Sequence, residues 1–378
     1  MLTPEEKTLL EKYVENHTPD APYWARVQIV LLADAGWAQA DIAATLRLRI
    51  TPVRTWQRAF NRHRLTVFPE TLFLDTPLFA PTEGVGEAGR CLLGEMQQKV
   101  QAYWPAAATY TDPLAVHEFR KAIRQSFTIY RVFAPYFLQG TLAHFRRRWR
   151  KVMRRLGRSR DITIFLQGLE THLAGDTWSP VERAGLECLR DVWQERLAAA
   201  NATLQTYLNQ EKVRPLLENY GQFLAHGQTS LISPLDTSPA YQIRFVAPRL
   251  INDKVTMVRQ HHHLVTGGTL AELHQLRIDF KELRYTLRFF APLLGLPVLS
   301  CLYVLEQIQD HLGWLNDARV GLELLDEMQG EETSAAANLY RALLQARADT
   351  LRTEFLPLWE KFDSLAWRQN LGLALARL

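Results

Sequence analysis

Three cysteines, Cys91, Cys188 and Cys301, are all that a 378-residue chain contains, and they are odd in number and far apart. They make neither a disulfide framework nor a zinc knuckle, so a reducing cytoplasm is the expected compartment. No apolar run approaches the roughly 20 residues a membrane helix requires. The opening MLTPEEKTLL lacks a signal-peptide pattern, and no membrane partner is expected. There is no P-loop, no ExExK pattern and no cluster of carboxylates suited to magnesium, which argues against a phosphohydrolase. His261, His262 and His263 are consecutive. Adjacent residues on a helix point about 100° apart and do not share one ion easily, so no metal site is expected. No cofactor is expected either.

What is abundant is positive charge in one place. The net charge is only +4, but residues 112–160 hold 13 Lys/Arg against 2 Asp/Glu, leaving the rest of the chain acidic. Charge concentrated in this way points to a polyanionic partner rather than to solubility.

Two stretches answer each other, residues 116–133 (VHEFRKAIRQSFTIYRVF) and 273–290 (LHQLRIDFKELRYTLRFF). In the first, His117, Arg120, Lys121, Arg124 and Arg131 fall at offsets 0, 3, 4, 7 and 14. In the second, His274, Arg277, Lys281, Arg284 and Arg288 fall at 0, 3, 7, 10 and 14. These spacings place the cations on one helical face. Phe119, Ala122, Ile123 and Phe127, and in the partner Leu276, Phe280, Leu283 and Leu287, make the other face apolar. Each stretch therefore reads as a helix with one side buried and a row of cations on the other.

The chain order extends the match. LGRSRD ends at Asp161 in one half and LGWLND at Asp317 in the other, so the His-to-Asp separation is 44 and 43 residues. A duplicated helical unit accounts for this. Gly157 and Gly313 are expected to stop helices, and Asp161 and Asp317 to cap the next ones or to orient basic side chains rather than to catalyse. Two copies about a pseudo-twofold axis would bring the histidine helices together, their cations sharing one groove. The halves are unequal. Residues 145–156 (FRRRWRKVMRRL) are strongly basic, whereas 301–312 (CLYVLEQIQDHL) carry no Lys or Arg. Arg147, Lys151 and Arg154 form the stripe expected to enter the groove, while Arg146, Arg148, Arg150 and Arg155 could face solvent. Trp178, Trp193, Trp314, Trp359 and Trp367 are read as core or interface packing.

The first 68 residues read as a small helical domain. Helices are expected at 5–16, 23–35 and 39–46, with Thr51 capping a further helix that has Pro52 at its first position. Residues 25–64 resemble a helix-turn-helix unit. Arg49, Arg54, Arg58 and Arg62 are the candidate DNA-contacting residues, with no acid between Ile42 and Pro69. A module for packing or dimerisation is the other reading. The turn lacks glycine and would place an arginine in a costly left-handed conformation. Residues 69–89 form a linker, apolar enough to lie against a domain surface. Residues 90–378 are helical almost throughout, in halves at about 90–225 and 241–378 divided by the polar stretch 226–240. The fold class expected is all-α.

HxxRKxxR at 117–124, HxxRxxxKxxRY at 274–285, LGxxRD at 156–161 and LGxxND at 312–317 together resemble the CHAD family, the conserved histidine α-helical domain. The resemblance spans about residues 87–378. It implies two four-helix bundles around a basic groove that binds inorganic polyphosphate, without catalysis, and association with polyphosphate granules. Carried over position by position, it makes His117, Arg120, Arg124, His274, Arg277, Lys281, Arg284 and Tyr285 the functional set. Lys121, Arg131, Arg147, Lys151, Arg154 and Arg288 extend it as candidates. Gln125, Phe127 and Glu282 stand where the family often has cations, which thins the charge. The alternatives are a DNA-binding regulator acting through the N-terminal module and a phosphohydrolase of polyphosphate or triphosphates. The histidines themselves could be anion donors, acid/base groups, metal ligands or ties between helices. The sequence leaves the oligomeric state open.

Overall fold

A computed structural model describes residues 1–109, 112–175, 178–209, 213–225, 231–232, 238–328 and 335–378. Most of the polar stretch expected at 226–240 lies outside the described residues. Among the described residues the structure is helical, with isolated bridges but no strand. The chain falls into two compact units: Met1–Pro77 with Leu287–Val304 and Ser364–Leu378, and Leu78–Thr286 with Leu305–Asp363.

In the first unit, α1 (Pro4–Glu15) begins with a capping box, Thr3 accepting from Glu6 N while the Glu6 carboxylate accepts from Thr3 N. It is followed by α2 (Trp24–Asp34), α3 (Gln39–Thr45) and α4 (Ile50–His63). Leu10, Val27, Val30, Phe60 and Phe68 form one core, and Ile29, Ile42, Ala43 and Val53 a second. Leu72 and Phe73 of the expected linker pack against the first of these. Arg47, in the turn between α3 and α4, adopts the left-handed conformation at φ 53°. The start of α4 differs from the sequence expectation. Arg49, not Thr51, occupies the cap position, and Thr51 and Pro52 lie inside the first turn. Proline fits there because the first amides of a helix have no partner within it.

In the second unit the helices repeat in order. The first half has α5 (Val85–Thr109), α6 (Pro113–Val132), α7 (Thr141–Leu173), α8 (Pro180–Asn209) and α9 (Val213–Ala225). The second has α10 (Ile243–Arg259), α11 (Leu270–Leu294), α12 (Pro297–Asp326), α13 (Ala335–Thr353) and α14 (Leu356–Phe362). The far ends of α11 and α12 that meet, residues 287–304, belong to the first unit, as does α15 (Leu365–Leu375). The segments leading into α5 and α10 pair antiparallel at Gly84 and Gln242, so the two halves join where each begins. They join again through a core of Ile162, Phe165, Leu169, Leu189, Trp193, Leu324, Leu325 and Tyr340. Trp193 is fully buried, and a side chain of that kind stabilises by roughly 2–3 kcal/mol relative to exposure.

The expected breaks at Gly157 and Gly313 do not occur. Helices α7 and α12 run straight through both Leu-Gly sequences, and Asp161 and Asp317 lie mid-helix instead of at caps. Glycine destabilises a helix interior by about 1 kcal/mol relative to alanine. Packing of Leu156, Ile162 and Phe165 on one side, and of Leu312 and Leu315 on the other, holds each helix together across it. Trp314, expected in a core or interface, is 55% exposed.

Candidate polyanion-binding site

Helix α6 is started by Asp112, whose carboxylate accepts from Leu114 N at 2.8 Å. Helix α11 is started by the reciprocal pair Thr269 and Glu272. Phe119, Ala122 and Ile123 bury the back of α6, with Phe119 edge-on to Trp149 of α7. Leu276, Phe280 and Leu283 bury the back of α11, with Phe280 edge-on to Trp359. These anchors fix the rotation of both helices, so their histidine rows turn toward each other.

The rows meet directly. Arg131 of α6 donates through Nε to Glu282 of α11 at 2.6 Å, and Lys254 Nζ donates to the other carboxylate oxygen at 2.9 Å. Arg124 lies within electrostatic reach of Arg284 and Tyr285, and Arg277 within reach of Arg124. Lys281 faces Arg124, Arg131 and Arg277, with Glu282 as its nearby acid.

Three of these cations are half-buried without partners among the described residues. Among the described residues, Arg124, Arg277 and Lys281 make no ion pair or hydrogen bond, and the Nε of Arg124 and of Arg277 is buried with nothing to donate to. Burial lowers the pKa of both guanidinium groups, and burial with three arginine neighbours pushes Lys281 down to about 7. Unsatisfied buried donors are costly to a protein standing alone. They are what an anion would complete.

Other members of the predicted set are partly committed. Lys121 Nζ donates to Glu118 at 3.0 Å, and Arg284 Nη1 donates to Glu306 at 3.2 Å. Arg120 is buried and is a favourable neighbour of the Asp161 carboxylate, and Tyr285 is also buried. Arg288 is exposed and falls in the first unit.

The histidines are tied unequally. His274 donates through Nδ1 to Asn316 Oδ1 at 2.6 Å, the same oxygen that accepts from Arg319 at 3.2 Å. At the matching place in the first half stands Arg160, which lies near His117. Both imidazoles have lowered pKa values, from burial first. At His117 the Arg160 charge adds to this, and at His274 the Asn316 bond opposes it.

Arg160, Asp161, Asn316 and Asp317 join this cluster without having been singled out as binding residues from the sequence. Arg160 is an electrostatic neighbour of His117, Arg124, Arg277, Asp161 and Asp317. Burial raises the pKa of both aspartates, and the Asp317 charge adds to the rise at Asp161. Arg120 and Arg160 oppose it at Asp161, and Arg277 and Arg160 at Asp317. The Arg-Asp and Asn-Asp endings of the two Leu-Gly sequences were the available signal. Of the two roles the sequence offers Asp161 and Asp317, the caps do not form and the arginine neighbours are present.

Arg147, Lys151 and Arg154 are exposed on α7, with no ion pair or hydrogen bond among the described residues. Continuity of α7 sets their phase. Arg147, Arg154 and Asp161 are seven residues apart, so successive members drift by only about 20°. Between Arg147 and Arg154, Arg150 and Lys151 fall about 50° to either side of that line. The stripe that extends outward from Asp161 is thus Arg154 and Arg147, with Arg150 and Lys151 on its two flanks. Arg158, one turn nearer, is engaged by both oxygens of Glu327 at 2.7 and 2.9 Å.

The three consecutive histidines diverge. His261 Nε2 donates to Asp279 at 2.9 Å, His262 packs on Trp359, and His263 bonds the Gln260 carbonyl. Among the described residues, no group of three or more His, Cys, Asp or Glu is placed to hold a metal ion. In the N-terminal helices, Arg49, Arg54, Arg58 and Arg62 are all exposed, and Arg54 donates to Gln39 Oε1 at 3.0 Å.

Residues 91–326 match the sequence profile of the CHAD domain. Among solved structures, the chain is similar to the crystal structure of the CHAD domain from the plant Ricinus communis, with a TM-score of 0.64 and 20% identity over 78% of this chain and 96% of that one. It is also similar to PptA from Streptomyces chartreusis, with a TM-score of 0.51 and 16% identity over 73% of this chain and 99% of that one. No curated protein sequence matches.

Proposed function

The chain belongs to the CHAD domain family, and on that premise we propose that it binds inorganic polyphosphate between its two histidine helices without turning it over. The observation that carries the reading is the trio Arg124, Arg277 and Lys281, half-buried together and unpaired among the described residues. Polyphosphate offers a line of charges and no base edges, so its recognition calls for converging guanidinium and ammonium donors. In this reading His117 and His274 act as anion donors that gain a proton on binding, and Asp161 and Asp317 hold the surrounding arginines in place. Binding of this kind would bring the protein to cytoplasmic polyphosphate granules.

Titration with long-chain polyphosphate and with duplex DNA of equal charge, each at two salt concentrations, tests the proposal. Tighter binding of polyphosphate at both salts is expected. Binding no tighter than that of DNA would sink it, and phosphate release on adding magnesium would replace it with the hydrolase reading.

A second reading concerns the N-terminal helices. The exposed face of α4 carries Thr51, Arg54, Thr55, Arg58 and Arg62, opposite the buried Val53 and Phe60. That is the form of a helix offered to a DNA major groove. We propose DNA contact there as an activity separate from polyphosphate binding.

A further inference from the structure

Gly157 and Gly313 lie at matching places within continuous helices, each one turn before the aspartate that joins the cationic cluster. None of the usual reasons for glycine applies to them. Neither has a positive φ, and neither ends its helix. Nor are they packing sites. A Cβ at Gly89, Gly168, Gly185 or Gly321 would meet a neighbouring side chain at 3.0 Å or less, whereas at Gly157 or Gly313 it would meet nothing within 4 Å. Gly94 and Gly372 are equally open, but neither has a counterpart in the other half. Glycine is the least favourable helix-interior residue after proline, so a matched pair with no internal use points outward. The remaining use is close approach of another molecule to the backbone.

Their surroundings identify what approaches. A residue four before another on a helix lies only about 40° from it around the axis. Gly157 therefore opens on the side of Asp161, where Arg120 and Arg160 stand, and Gly313 on the side of Asp317, where Arg277 and Arg160 stand. The buried Nε of Arg277 has no acceptor. Arg154 and Arg147 continue the same line on α7. Bare backbone flanked by cations on two helices suits a narrow, linear, highly charged anion.

We propose that Gly157 and Gly313 are the floor of the site, the places where a polyphosphate chain crosses α7 and α12 in contact with the backbone. The absent side chains let the chain sink until arginines of both halves reach it together. This inference rests on the polyphosphate reading and adds to it the path of the ligand.

The test compares the unaltered protein with Gly157→Ala, Gly313→Ala, and a double variant with leucine at both positions. Circular dichroism, thermal midpoints and affinities for long-chain polyphosphate and single-stranded DNA are measured on the full chain. The midpoint should hold or rise in the alanine variants, because alanine favours the helix and space is open. Polyphosphate affinity should fall nonetheless, by about tenfold in the double leucine variant. If the unaltered protein binds polyphosphate and every variant stays within about twofold of it, the glycine proposal alone is overturned. Loss of DNA binding with polyphosphate binding intact would also overturn it, making nucleic acid the occupant. Failure of the unaltered protein to bind polyphosphate would remove the underlying reading and this inference with it.

Discussion

Arg131 donates to Glu282 at 2.6 Å across the line where the two halves meet, and Lys254 donates to the same carboxylate at 2.9 Å. One buried acid therefore holds two cations, of which Arg131 is also a neighbour of Lys281. Glu282→Gln should release Arg131 toward an anion and tighten polyphosphate binding several-fold. The same change removes charge-assisted hydrogen bonds, so stability should fall by about 2 kcal/mol. Calorimetric titration and urea denaturation of the variant read the two effects separately. Weaker binding would mean that Glu282 positions the groove instead of competing with the ligand.

Arg124→Ala and Arg277→Ala test the centre of the site. Each removes a half-buried guanidinium that makes no hydrogen bond or ion pair among the described residues. Each should weaken polyphosphate binding by about 1.5–3 kcal/mol. Neither should destabilise the free protein as a buried ion-pair deletion would, because no partner is left behind. A large loss of stability in either variant would show that the arginine serves the fold.

Lys281 makes binding sensitive to pH. Its folded pKa, about 7, lies below the ordinary lysine value of 10.5. The unfolded chain therefore holds more protons between those values, and stability contributed by this residue rises with pH across that window. Ligand affinity should run the other way, since an anion favours the charged amine that faces Arg124, Arg131, Arg277 and Glu282. Affinity should fall as pH rises through 7, by at most about tenfold per unit for one proton. The lowered pKa values of His117 and His274 place their own contribution on the acid side. Lys281→Met should flatten the dependence above neutrality and leave the histidine part, measured by titration in buffers of different ionisation enthalpy.

The arginine line on α7 predicts discrimination by chain length. From Asp161 back to Arg147 is fourteen residues, about 21 Å of helix. Only a long chain anchored at Arg124 and Arg277 can also reach Arg147. Arg147→Ala with Arg154→Ala should weaken long-chain polyphosphate and reduce its salt slope by up to about 2. Tripolyphosphate binding should be unchanged. Equal losses for both ligands would place these arginines inside the central site.

The α4 arginines should act independently. Arg54→Ala with Arg58→Ala should weaken duplex DNA binding by about tenfold at moderate salt and leave polyphosphate affinity unchanged. Fluorescence anisotropy with both ligands on the full chain decides this. DNA binding that instead disappears with Arg124→Ala and Arg277→Ala would assign it to the histidine helices.

The sequence by itself determined the all-α class, the duplicated unit and the two cationic helix faces, because each rests on local periodicity and on chain order. His117, Arg124, His274, Arg277 and Lys281 were legible for the same reason: side chains at helical spacing share a face whatever surrounds them. The state of each charge was decided only by the tertiary structure. Among the described residues Lys281, Arg124 and Arg277 are half-buried without partners while Arg131 and Arg284 are paired, and those outcomes depend on residues far away in the chain. Local signals also misled at Gly157 and Gly313. Glycine followed by Arg-Asp or Asn-Asp has the form of a helix stop and a new cap, but packing of the surrounding apolar residues carries both helices through. That continuity brings Arg160 and Asp161 to the site, aligns Arg147 with Arg154, and leaves two bare stretches of backbone facing the cations.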